Sequence, residues 1–207
     1  MPLAIKTIAN YILATYSDKS ITPMKLQKLV YYTKVWTLVA GEPIVDAQFE
    51  KWAYGPVNRT LYHTYKQYGS HPIPAEPAAK EPLDAKTSSL LHFIVDNYIT
   101  YSAFELSTMT HGERPWSDTP TNHIISDQAI LAYYTTQPFA KKFHNGTVTD
   151  GLFHLLQTES WHAFTLDMLP DDVKAMETFP SYNAYMLQSE QAAIEFESFR
   201  ETLFNGR

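Results

Sequence analysis

The chain has no cysteine. Disulfides, thiolate nucleophiles and Cys-ligated zinc are therefore excluded. A reducing compartment fits that usage, and residues 1–10 lack the basic, apolar pattern of a leader, so the expected location is the cytoplasm. Glycine is scarce, with 7 in 207 residues. Neither a G-x-G-x-x-G nor a P-loop occurs, which leaves little material for a phosphate cradle. No apolar run approaches the roughly 20 residues of a membrane span, so no membrane partner is expected. The H-E-x-x-H helix of zinc hydrolases and the G-x-S-x-G elbow are both missing. Asp171 and Asp172 form a carboxylate pair, but at a helix start, where negative charge suits the dipole. No cofactor and no metal is expected.

What is present is a core-forming chain. It is 44% hydrophobic, with 14 Tyr, 11 Phe and 4 Trp. Much of the core should be aromatic, and many hydroxyls need partners. The net charge is −6 and unevenly spread. Residues 1–70 hold 8 Lys/Arg against 4 Asp/Glu, while 71–138 and 139–207 carry −5 each. The acidic total disfavours nucleic acid as a partner, since that binding depends on neutralising phosphates.

The periodicity is helical. Ile5, Ile8, Ala9, Ile12, Leu13 and Tyr16 make one apolar stripe over 4–16. Thr22 and Pro23 are an N-cap and first-turn proline, opening a helix to Ala40 that Gly41 ends. That helix is apolar nearly all round, so it is expected to be central and buried. Trp52 and the Gly55-Pro56 pair lead into a helix expected from Val57, and Gly69 ends it. A proline-rich loop covers 70–84, followed by a helix through Leu90, Ile94 and Tyr98. Ser102 and Glu105 form a capping box. Ser126 or Asp127 starts a helix through Tyr134. Further helices are expected over 150–157, 170–177 and 189–204. No sustained period-2 alternation occurs. The expectation is a mainly α protein: a compact multi-helix domain over 1–138 with a central buried helix, and a partly helical C-terminal extension over 139–207.

The stretch 108–116, TMTHGERPW, sets His111, Glu113 and Arg114 within four positions. An enzyme would use them at a polar cleft; a metal would need a third ligand such as His63 or His144. A structural turn explains each residue locally. His111 caps the last carbonyls, Gly112 takes a positive φ, Pro115 stiffens the exit and Trp116 plugs the core. Arg114 and Trp116 are also types enriched at binding hot spots. Lys25 and Lys28 should emerge together on a solvated helix edge. With Arg59, they are the candidates for contact with an acidic partner.

Three segments taken together carry a resemblance. They are Ile21 to Tyr32 with its LQKLVYY core, Trp52 to Val57 with YGPV, and Leu106 to His111 with Glu113 and Pro115-Trp116. In this order and spacing, over roughly 5–135, they resemble the Panacea antitoxin domain of bacteria and phages. The resemblance implies a mostly α-helical, non-catalytic antitoxin. Such a protein neutralises a toxin, encoded by a neighbouring gene, through direct protein–protein binding. It implies no toxin-contact residues, because the shared positions read as core and turns: Thr22, Pro23, Trp52, Gly55, Pro56, His111, Gly112, Glu113 and Pro115. Partner choice would then lie in surface residues outside that core, and the unmatched C-terminal third is a candidate place. The alternatives are a DNA-binding regulator, a proteolysis adaptor and, last, an enzyme using His111 and Glu113.

Overall fold

A computed structural model of the chain describes residues 2–74 and 82–143. The helices expected over 150–157, 170–177 and 189–204 lie outside the described residues.

Helix α2 (Pro23–Val39) is the axis. The Thr22 side chain accepts a hydrogen bond from the Lys25 amide at 3.3 Å, and Pro23 sits in the first turn. Fourteen of its 17 residues are buried, lysines included, so other elements must surround it on every side. They are α1 (Ile5–Thr15), α3 (Arg59–Tyr65), α4 (Ala85–Asp96), α5 (Ala103–His111) and α7 (Asp127–Tyr134). Each large apolar side chain fully buried here, such as Trp36, Val30 or Ile8, stabilises the fold by about 1.5–3 kcal/mol. The short helix α6 (Arg114–Ser117) bridges α5 and α7. Gly41, at φ +75°, ends α2 as expected. Phe139 and Ala140 join the same core, so the packing runs past residue 138.

Among the described residues, two small sheets accompany the helices. Strands β1 (Leu3–Ala4) and β2 (Val45–Asp46) pair in parallel. Strands β3 (Glu50–Trp52) and β4 (Gly55–Val57) form an antiparallel hairpin in which Trp52 faces Gly55 and Glu50 faces Val57. The helix expected from Val57 therefore starts later. Gly55 takes φ +97°, which turns the chain back into a strand. Asn58 then caps α3 through the Leu61 amide at 3.1 Å. The other edge of β3 is closed by 122–125: Lys51 N–H donates to His123 O at 3.0 Å and Ile125 N–H to Phe49 O at 2.8 Å.

The end of α5 also departs from expectation. Gly112 is right-handed, φ −78°, and its N–H still reaches the Thr108 and Met109 carbonyls. The chain breaks one residue later, at Glu113, in extended conformation at φ −98° and ψ 130°. The cause is tertiary: the Glu113 side chain is drawn into the core. Pro115 opens α6 instead of merely stiffening a loop.

Candidate functional site

The three segments that carry the sequence resemblance meet in space. The first contact is between α2 and the hairpin. Lys28 Nζ donates to the Pro56 carbonyl at 3.1 Å. Gln27 holds the Asn58 backbone from both sides, accepting its N–H at 2.9 Å and donating to its carbonyl at 3.1 Å. From α5, the Ser107 hydroxyl donates to the Tyr54 carbonyl at 3.0 Å. Gly55 fills the crossing point. A Cβ there would lie 2.6 Å from Lys28 Cε and 2.7 Å from Thr110 Oγ1.

The second contact is polar and sealed. Glu113 is 5% exposed. Its carboxyl accepts the Tyr32 hydroxyl at 3.2 Å on both oxygens and, more tightly, the Tyr134 hydroxyl. Burial pushes the carboxyl up to about 8, although both hydroxyls oppose the rise. Tyr32 stacks on Tyr98 at 4.1 Å, and the Trp36 indole N–H donates to the Tyr98 hydroxyl at 2.5 Å. Burial, with the Glu113 charge adding, holds the Tyr32, Tyr98 and Tyr134 hydroxyls well above their ordinary values.

Lys25 and Lys28 are not on a solvated edge. Both are buried, at 8% and 1% exposure. Their stems run through apolar packing, and their ammonium groups end on backbone carbonyls, Ile99 at 2.6 Å and Pro56. Burial pushes Lys28 down to about 7 and lowers Lys25. His111 does not cap its own helix. Its ring stacks on Trp116 at 4.0 Å and hydrogen-bonds the Ala53 backbone, while its Nε2 is buried without a partner. Burial, with the Lys28 charge adding, lowers its pKa, which favours the neutral ring. Trp116 is half-buried. Its indole N–H donates to the Trp52 carbonyl at 3.3 Å, and Lys51 Nζ lies 4.4 Å over its ring.

His111, Glu113 and Arg114 therefore do not converge. Glu113 faces the core, His111 packs on an indole, and Arg114 is exposed with only a 3.7 Å contact to Asp118. Among the described residues no group of three His, Asp or Glu side chains could hold a metal. Arg59 is exposed and grips Glu50 with two nitrogens, at 2.6 and 2.8 Å. Sequence reasoning missed the outer surface of these elements. Tyr54, Tyr62 and Phe104 are exposed at 66%, 40% and 70%. An apolar residue type alone does not separate them from the buried aromatics. A shallow groove of about 660 Å³ lies between α6 and α7, lined by Pro115, Asp118, Ile124 and Tyr133 among others.

Residues 26–117 match the family model described as Antitoxin SocA-like, Panacea domain. Antitoxin SocA of Caulobacter vibrioides (strain NA1000 / CB15N) is similar, with 33% identity over 93 residues. The match covers 44% of this chain and 47% of that relative, about half of each. No solved structure matches the chain. No helix among the described residues is long and apolar enough to cross a membrane.

Proposed function

We propose that this chain, through the Panacea domain over residues 26–117, is a cytoplasmic antitoxin that neutralises a toxin by binding it directly. One observation carries this reading beyond the family match. Among the described residues, three ionisable groups that could have served catalysis are engaged inside the fold: Lys28 with Pro56, Glu113 with two tyrosines, His111 against Trp116. The same elements turn aromatic side chains outward. A surface of that kind binds a protein and transforms nothing. The toxin is the product of a neighbouring gene, and the reading needs neither cofactor nor nucleic acid.

Expression of the neighbouring gene product from an inducible promoter, with and without this chain, tests it. Growth arrest relieved by this chain, with the two proteins purifying together, is expected. Arrest that persists beside a folded, expressed chain overturns the proposal. Relief without any complex would replace sequestration by another route, proteolytic delivery included.

A further inference from the structure

We infer that the groove between α6 and α7, together with the open strand edge at Ile124, is an interface with a second copy of this chain. The inference concerns self-assembly and stands independently of the antitoxin reading.

The open edge follows from the hydrogen-bond pattern. Ile124 is bridged antiparallel to Glu50 of β3. The bonds around that pair run from Lys51 N–H to His123 O and from Ile125 N–H to Phe49 O. Glu50 and Ile124 are therefore a non-hydrogen-bonded pair, and the N–H and C=O of Ile124 point away from β3. Among the described residues neither group meets a partner, and Ile124 is 49% exposed. No Lys, Arg, Asp or Glu stands in 122–125 to guard it. An unguarded edge is a template for another strand. Two copies related by a two-fold axis satisfy it antiparallel, each Ile124 N–H donating to the Ile124 carbonyl of the other.

The groove continues that edge. Ile124 lines it together with Ala129, Ala132 and Tyr133 of α7. Those three stand at i, i+3 and i+4, so they form one face of the helix. The two alanines let a second backbone come close, and Pro115 adds apolar surface.

The charge of the groove selects the occupant. Its lining carries one arginine, Arg114, and one carboxylate, Asp118. Both side chains are mostly exposed, and their 3.7 Å contact is longer than a hydrogen bond. Each therefore keeps free capacity for an opposite charge. Neither sign prevails, so a strongly acidic or strongly basic partner gains nothing here. A two-fold interface asks for such a self-complementary patch, with Arg114 meeting Asp118 of the second copy and the reverse.

Sedimentation equilibrium of the full chain tests this, with circular dichroism as the folding control. The wild type should reach twice the chain mass as concentration rises. Arg114→Asp and Asp118→Arg each set like charges across the interface, and each should raise the dimer dissociation constant at least ~10-fold. Mixed together, they restore opposite charges between copies but not within one copy, and dimers should return. Ile124→Pro removes the outward N–H, leaves the bonds to β3 in place and should be monomeric. Phe104→Ala alters an exposed ring outside the groove and should dimerise like the wild type. A wild type that stays monomeric at its highest soluble concentration overturns the inference. A mixture no better than its parts overturns the Arg114–Asp118 pairing, and a dimer of folded Ile124→Pro overturns the edge pairing. Loss confined to Phe104→Ala overturns the location. Should Ile124→Pro fail to fold, the charge exchange alone decides.

Discussion

Tyr134 donates its hydroxyl to Glu113, 21 positions earlier, in a pocket closed to solvent. With Tyr32 on the same carboxyl, this joins α2, the break after α5 and α7 around one proton-binding group.

That group makes stability depend on pH. In the unfolded chain the Glu113 carboxyl titrates near 4.5, and in the fold at about 8. Between those values the folded state binds more protons than the unfolded one. Its contribution is full below about 4.5 and falls as pH rises towards about 8, by up to ~1.4 kcal/mol per pH unit. Glu113→Gln keeps the shape without the proton. Urea melts at pH 5, 6 and 7 should show the wild type losing stability relative to the variant as pH rises. Parallel curves would mean that Glu113 is ionised in the fold.

Lys28 acts in the opposite sense and in another window. Its folded value is about 7 against 10.5 unfolded. Between the two, the unfolded state holds the extra proton. The stability is therefore fully present above 10.5 and lost as pH falls towards about 7. Melting temperatures of the wild type should rise from pH 7.5 to 9.5. Lys28→Met should flatten that rise. An equal rise in the variant would assign it to other groups.

Local signals were legible in the sequence, and long-range ones were not. The Thr22-Pro23 start of α2 and the Ser102–Glu105 capping box depend on neighbours three residues apart, and both are present. The hairpin escaped because strands of three residues are too short to show alternation. Lys25 and Lys28 were misplaced because a helix buried on all sides has no polar face from which to read direction. Glu113 looked like turn chemistry, since one of its partners, Tyr32, lies 81 positions away. At the level of the site, the sequence named the three converging segments but not the exposed aromatics on their outer side. Those differ from core residues only in tertiary context.

Gly55 should resist substitution for two separable reasons. Its φ of +97° strains any L side chain, and a Cβ would press on Lys28 and Thr110. Gly55→Ala is expected to destabilise by about 2–4 kcal/mol. Shortening the neighbour relieves only the contact. In a double-mutant cycle with Lys28→Ala, the Gly55→Ala cost should shrink but not vanish. Strict additivity, read from denaturant midpoints at constant m, would show that the Lys28 contact adds nothing to the cost, leaving it to the backbone and to Thr110.

Trp116 separates packing from partner contact. Fully buried, its loss would cost about 3–5 kcal/mol. It is half-buried, with one face on His111 and with Lys51 over the ring. Trp116→Ala should therefore cost less, about 1–3 kcal/mol, because only part of the ring leaves an apolar environment. The same substitution uncovers the His111 ring, so the His111 pKa should rise towards its ordinary value as water reaches it. Proton NMR titration of the imidazole in the two proteins reads that shift directly. A destabilised variant with an unmoved His111 would mean that the ring is held low by the Lys28 charge and not by the cover that Trp116 provides.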